Sequence, residues 1–343
     1  MDLTVSVAMC TRNGAAHVEE QLRSILAQSV PANEIVISDD ASSDETVSIA
    51  RRVLAEASPV AGSPRLVLLE NSRALGVRMN FEQALRTSTS DLIALCDQDD
   101  VWHPDRLAVG VREFSSSSDL LMLHSDARLV DESGAPMGHS LFEALGINET
   151  EQEAIRSGHG FEALLHRNLV TGATTMVRAE LVTRAVPFPS PWVHDEWLAI
   201  VAAATGRLDF SDEQLIDYRQ HSTNQIGVRK LTGLGKIRRV LEPRNDRNRY
   251  LLERAEVLLA RLEMLGDEVS PTVLDLARAK VAHQRARAAL ASARYRRLLP
   301  VLREVRTGRY ALFSRGNADV VRDLFQPAGN ANSTSPASAS RGA

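Results

Sequence analysis

A run of apolar residues, Leu92 to Cys96, ends abruptly in Asp97-Gln98-Asp99-Asp100, and no other feature constrains the fold as much. The run reads as a buried strand with acids at its mouth. Three carboxylates there repel one another, and unpaired charge at an interior edge costs on the order of several kcal/mol, so a cation or a cationic partner must share the site. Asp97 and Asp99, two apart, suit a hard oxygen-ligated ion such as Mg2+ or Mn2+, which binds through one or two carboxylates and takes its other ligands from water and phosphate oxygens. The alternative for this motif alone is a solvated acidic turn.

A second strand ends in acids as well. Glu34 to Ser38 carries Ile35-Val36-Ile37 and stops at Asp39-Asp40-Ala41-Ser42-Ser43-Asp44, a turn that leads into a helix bearing Val47, Ile49, Ala50, Val53 and Leu54. Thr4 to Met9 predicts another buried strand, followed by the turn Thr11-Arg12-Asn13-Gly14 and a helix with Val18, Leu22, Ile25 and Leu26 on one face. Arg65 to Leu69 and Asp91 to Cys96 complete four strands, with a helix containing Phe81, Ala84 and Leu85 between them. Strands alternating with helices predict an α/β fold with a mainly parallel sheet and right-handed crossovers. In such a sheet, ligands bind outside the carboxyl ends of the strands, where acids from different strands converge.

Further along, Pro104 is expected at or near the first position of a helix. Leu120 to His124 predicts a strand, Glu132-Ser133-Gly134 a turn, and Asn168 to Val177 an extended stretch around Gly172. Residues 138–160 carry no clear pattern. Trp192-Val193-His194-Asp195-Glu196-Trp197 opens an apolar helix, and Gln214 to Arg219 predicts a last strand. From 229 the chain reads as mostly helical, with Leu251, Leu252, Ala255, Leu258, Leu259 and Leu262 along one face, and 327–343 as a disordered tail.

The 343 residues suffice for one large or two modest domains. Cys10 and Cys96, the two cysteines, both lie in apolar strands and are expected to be buried reduced thiols. No basic leader, cleavage pattern or run of roughly 18 apolar residues is present, so the expected location is the cytoplasm. Charge is distributed unevenly. Residues 1–227 hold 17 Lys and Arg against 33 Asp and Glu, whereas 228–325 hold 22 against 11. Such a split predicts an acidic, metal-attracting domain over 1–227 joined to a basic helical region over 228–326.

The ordered set of motifs resembles the family 2 inverting glycosyltransferases of the GT-A fold, and within them the rhamnosyltransferase-like group. It comprises Val5 to Gly14, Ile37 to Thr46, Cys96 to Trp102, Thr171-Gly172-Ala173, His194 to Trp197 and Tyr218-Arg219-Gln220-His221. The resemblance implies a nucleotide-diphosphate-sugar fold and a donor such as a dTDP- or UDP-sugar. It implies that Thr11, Asn13, Asp39, Asp40 and Asp97 hold the nucleotide sugar and that Asp99, with His221 as a further candidate ligand, holds Mg2+ or Mn2+. It also implies that Asp195 is the general base, with Gly172, Glu196 and Trp197 on the acceptor side. His194 stands where the family more commonly has Glu, which leaves Glu196 as a rival base. The implied acceptor is a saccharide or lipid-linked glycan in cell-surface polysaccharide synthesis. The chemistry agrees: inversion needs a carboxylate to take the acceptor proton and a cation to hold charge on the departing diphosphate.

Other functions fit less well. A phosphate-accepting receiver domain needs a lysine at a late strand end, and no lysine precedes Lys230. Nucleic-acid binding is disfavoured because few aromatics accompany the arginines. A non-catalytic nucleotide-sugar-binding protein remains the alternative. Residues 229–325 are expected either to lie on the inner face of a membrane or to pack on the catalytic domain or a second copy.

Overall fold

The computed structural model describes residues 3–57, 63–220 and 247–327. His221, the first part of the basic helical region and residues 328–343 of the tail expected over 327–343 lie outside the described residues.

Among the described residues nine strands form one sheet: β1 (Val5–Thr11), β2 (Glu34–Asp39), β3 (Arg65–Glu70), β4 (Leu92–Cys96), β5 (Val101–Trp102), β6 (Leu120–Val130), β7 (Pro136–Ser140), β8 (Thr175–Arg178) and β9 (Arg207–Arg219). Their order is β3-β2-β1-β4-β8-β6-β9-β5, with β7 paired to β6. The four strands β3, β2, β1 and β4 are parallel throughout. β8 then enters antiparallel between β4 and β6, while β6 and β9 run parallel. This is the α/β arrangement of the GT-A fold, with a mixed sheet flanked by helices.

Alternation along the strands divides the core. Ala8, Val36, Ile93 and Leu95 face one apolar cluster, with Phe81 and Trp197. Val7, Met9, Ile35, Ile37, Ala94 and Cys96 face the other, with Leu22 and Phe114. Near-continuous apolar runs are what a sheet covered on both faces requires. Both cysteines are free and buried.

Four local expectations change. β6 runs on past His124, because the polar residues that seemed to end it are buried and Asp126 is satisfied, its Oδ1 accepting from the backbone N–H groups of Ala127 (2.8 Å) and Phe142 (2.9 Å). Its register with β9 shifts at Ser125/Asp126, and the irregular pairing absorbs the break in pattern. Residues Gly172–Thr174 form a 3-10 turn rather than an extended stretch. Pro104 lies just outside the helix Arg106–Ser116, whose N-cap is Asp105. Residues 138–160 contain two short helices, Leu141–Leu145 and Glu149–Arg156, each opened by a capping box, at Ser140/Glu143 and Asn148/Glu151.

The C-terminal helices Arg247–Leu265 and Pro271–Ala288 share the core of the sheet domain: Leu258, Leu262, Val269, Ala277 and Phe313 belong to the cluster that holds Trp197. Arg254 stacks 3.9 Å from the Trp192 ring centroid, and Trp192 Nε1 donates to the Arg254 carbonyl at 3.1 Å. Among the described residues no helix is long and apolar enough to cross a membrane.

Candidate active site

Because β1, β2 and β4 are parallel neighbours, their C-terminal ends open on one crevice, and each delivers polar residues to it. At the end of β1 the loop is pinned from two sides. Gln98 accepts from the Arg12 N–H (2.7 Å) and donates to the Arg12 carbonyl (3.0 Å), while the Gly14 N–H donates to Thr46 Oγ1 (2.8 Å). A Cβ on Gly14 would stand 2.1 Å from Gln98 Oε1, so only glycine admits this packing. Asn13 adopts φ 48° and Ala41, on the facing β2 loop, φ 60°. The Asn13 N–H donates to Ser42 Oγ (2.9 Å), and its side-chain oxygen accepts from the Ser43 N–H (2.9 Å).

Asp39 and Asp40 form the adjoining wall. Asp39 Oδ1 accepts from Thr11 Oγ1 (2.7 Å) and Ser42 Oγ (2.5 Å), and Oδ2 from the Ser42 N–H (2.8 Å), so this carboxylate shapes its own turn. Asp40 accepts from the N–H groups of Leu75 and Gly76 and pairs with Arg12 at 3.3 Å. The two acids tie the β1, β2 and β3 loops into one wall.

The deepest part of the crevice gathers Asp97, Asp99, Asp100 and Asp195 around Tyr218. Burial and repulsion from Asp99 and Asp195 push the Asp97 carboxyl up to about 7. Burial, with Asp99 and Asp97, also raises Asp100, whose Oδ1 accepts from the Arg219 N–H at 3.0 Å. Its Oδ2 is buried with no hydrogen-bond partner among the described residues. Tyr218 is held protonated by burial and by all four carboxylates, so it is a neutral donor in an anionic surround. Arg106 lies behind the cluster, buried, its guanidinium 3.7 Å from the Trp102 ring centroid and bonded to the carbonyl of Leu95 at 3.1 Å. Arg219 adds a second cation at the edge, its Nε donating to the Asp99 carbonyl at 2.9 Å, and the four carboxylates still outnumber the two. Among the described residues no three His, Cys, Asp or Glu side chains converge as a ready-made metal cage.

Asp195 lies in the first turn of the helix His194–Thr205, whose N-cap is Val193, so Asp195 is not its cap. Asp195 Oδ2 accepts from the Gly172 N–H (2.9 Å) and Oδ1 from the Glu196 N–H (2.7 Å). Burial raises its carboxyl, and these two N–H groups counteract that rise. His194 is buried and stacked on Phe81, ring centroids 4.1 Å apart, with no hydrogen-bond partner at either ring nitrogen among the described residues. Burial pulls it down to about 3, so the imidazole is neutral.

One acceptor-side expectation is corrected. Trp197 has no exposed surface and its Nε1 donates to the Ala185 carbonyl (2.7 Å), which makes it a core residue unable to touch a sugar. Glu196 pairs with Arg254 at 2.6 Å, towards the C-terminal helices. The structure thus joins Asp97, Asp99 and Asp195 and sets Thr11, Asn13, Asp39 and Asp40 beside them, whereas His221 lies outside the described residues. Sequence reasoning missed Arg106, Gln98 and Tyr218. Tyr218 stood inside a quoted motif and Gln98 between two assigned acids, but nothing in the chain marks Arg106 as buried.

Residues 6–171 match the family model described as Glycosyl transferase family 2. An uncharacterized protein of Mycobacterium tuberculosis (strain ATCC 25618 / H37Rv) is 26% identical over 64% of this chain and 59% of that protein, so the chain spans less than two thirds of this relative. The dTDP-rhamnosyl transferase RfbG of Shigella flexneri is 25% identical over 64% of this chain and 74% of its own. Among solved structures, S. aureus TarS superposes with a TM-score of 0.54 at 16% identity, over 82% of this chain and 43% of that one. The mannosyltransferase PcManGT from Pyrobaculum calidifontis, in complex with GDP-Man and Mn2+, gives 0.51 at 18% identity, over 94% and 85%. At such identities the structural likeness speaks for the fold, and the sequence match over residues 6–171 is a likeness to the glycosyltransferase family 2 model.

Proposed function

We propose that the protein is an inverting, metal-dependent glycosyltransferase that moves rhamnose or a hexose from a dTDP- or UDP-sugar to a saccharide or lipid-linked acceptor in cell-surface glycan synthesis. The observation that carries this reading is the meeting of Asp97, at the end of β4, with Asp195, which the Gly172 N–H holds on a separate helix at 2.9 Å. One crevice then serves both donor and acceptor. Asp195 takes the proton of the acceptor hydroxyl as that oxygen bonds to the anomeric carbon, while the bond from this carbon to the diphosphate oxygen breaks and the nucleoside diphosphate leaves with the electron pair. A carboxylate raised by burial is the stronger base for this step. Thr11, Asn13, Asp39, Asp40 and Asp97 line the nucleotide side, and Gly172 borders the acceptor side.

An excess of buried carboxylate beside Arg106 fits a divalent cation, for which Asp99 is the first candidate ligand and His221 a second. Mg2+ or Mn2+, when bound, stabilises charge on the leaving diphosphate. Tyr218, neutral and surrounded by the four carboxylates, orients the donor through its hydroxyl.

Residues 1–227 form the catalytic domain in this reading and 228–326 an accessory helical region. The helix Leu298–Arg306 turns Val301 and Glu304 inward and leaves Leu298, Leu299, Leu302 and Val305 exposed beside Arg303 and Arg306. Such a face suits the inner surface of an anionic membrane, where a lipid-linked acceptor would be met.

The test is nucleoside diphosphate release from a panel of nucleotide sugars with Mg2+, Mn2+ or EDTA. Release that needs a metal and is lost in Asp99→Asn supports the proposal. Tight nucleotide-sugar binding with no turnover on any donor would favour the non-catalytic alternative.

A further inference from the structure

Between the helix His194–Thr205 and the C-terminal helices lies a cavity of about 260 Å3 whose walls carry Arg247, Arg254, Lys280, Arg287 and Arg315 against Glu196 and Asp319. The acids do not balance the cations. Glu196 is paired with Arg254, and Asp319 is shared among Arg322 (3.4 Å), Arg287 (3.6 Å) and Arg247 (3.7 Å). Arg287 has its own closer partner in Asp323 at 2.6 Å. Lys280 has no carboxylate partner among the described residues. Its Nζ donates to the carbonyls of Leu165 (2.7 Å) and Phe313 (2.6 Å), which uses two of its three N–H groups and leaves one for the cavity. The NH1 group of Arg247 is buried with no hydrogen-bond partner among the described residues. Burial, with Arg287 and Arg254 nearby, pulls Lys280 down to about 7.

Enclosed cationic donors with spare N–H groups are costly when empty and suit a phosphate, whose oxygens accept several charge-assisted hydrogen bonds at once. The cavity also adjoins the crevice: Glu196 on its wall follows Asp195 in the chain, and the Arg254 charge reaches the Asp195 carboxyl. We infer that this cavity holds the phosphate of a phosphorylated acceptor, a phosphomonoester or phosphodiester whose free hydroxyl extends to Asp195. This assignment rests on the glycosyl-transfer reading, but phosphate binding itself does not.

Titration calorimetry with inorganic phosphate, on the full chain in EDTA without donor, tests it, because the metal-free carboxylate crevice repels an anion. Wild type should bind. Lys280→Met, which keeps side-chain length without charge, should weaken binding roughly tenfold or more, and the exposed Arg315→Gln should weaken it measurably. Circular dichroism checks folding, and Arg315→Gln decides alone if Lys280→Met does not fold. No binding by wild type, or unchanged binding in the folded variants, overturns the site. Glucose 1-phosphate and glucose separate the sources. An ester that binds at least as tightly as inorganic phosphate, while glucose does not, supports an acceptor phosphate; an excluded ester overturns that assignment in favour of a site for free phosphate. Nucleoside diphosphate release, measured separately, reports on glycosyl transfer alone.

Discussion

The backbone N–H of Gly172 donates to Oδ2 of Asp195 at 2.9 Å, and the same glycine lies so close to His194 that a Cβ there would stand 2.9 Å from its Nε2. Position 172 therefore both orients the candidate base and leaves no room for a side chain. Gly172→Ala should destabilise the protein by about 1–3 kcal/mol through overpacking and lower turnover by displacing Asp195. The partner substitution His194→Ala should relieve part of that loss. A double-mutant cycle on urea midpoints measures it, and strict additivity would contradict the contact.

A positioned general base contributes about 10²- to 10⁴-fold in rate, so Asp195→Asn should lower kcat by that order while nucleotide affinity stays near wild type. Glu196 is engaged with Arg254, and Glu196→Gln should leave most of kcat intact. A larger loss in Glu196→Gln would move the base one residue along the helix.

Much of this site was legible because its pattern is local. Strands whose apolar runs stop at acids announce both a covered sheet and where it opens, and the ends of β2 and β4 do so within a few residues. What escaped was set by contacts distant in sequence. Arg106 resembles any surface arginine in its helix until β4 and β8 close over it with the carbonyls of Leu95 and Thr175. Trp197, beside the expected base in sequence, is placed in the core by an N–H donated to Ala185 and by Arg261 of a C-terminal helix 5.5 Å from its ring centroid. Strand β6 was expected to end before Ser125-Asp126 because neither the buried partners of this polar pair nor the shift in pairing leaves a trace in local hydropathy.

His194 makes a pH prediction whose sign follows from burial. Its folded-state value of about 3 lies below the unfolded value near 6.5, so between these limits the unfolded chain binds more protons. The stability due to neutral His194 is fully present above pH 6.5 and is lost as pH falls towards 3, about 2 kcal/mol of it by pH 5. Chemical denaturation of wild type and His194→Asn at pH 7.5 and 5 checks this: the difference between the two proteins should shift in favour of the variant on acidification. Parallel loss in both would show that the ring protonates freely in the folded state.

The last prediction concerns the face of Leu298–Arg306. Leu299 and the neighbouring Tyr295 are each 78% exposed, and Leu298, Leu302 and Val305 lie on the same outward arc, flanked by Arg294, Arg296, Arg303 and Arg306. The inward positions Val301 and Glu304 pack on the neighbouring C-terminal helices, Val301 with Leu290 and Tyr310 and Glu304 against His283 at 2.9 Å, so the outward arc takes no part in that packing. Cations near an anionic bilayer contribute about 1 kcal/mol each, and exposed leucines add apolar burial in the headgroup region. Co-sedimentation with vesicles containing phosphatidylglycerol should therefore be strong at low salt, fade as salt screens the arginines, and drop in Leu299→Asp and Arg303→Glu. Pure phosphatidylcholine vesicles should bind little. If anionic vesicles also fail to bind at low salt while light scattering shows a dimer that Leu299→Asp dissociates, the apolar arc is instead the contact between two copies of the chain.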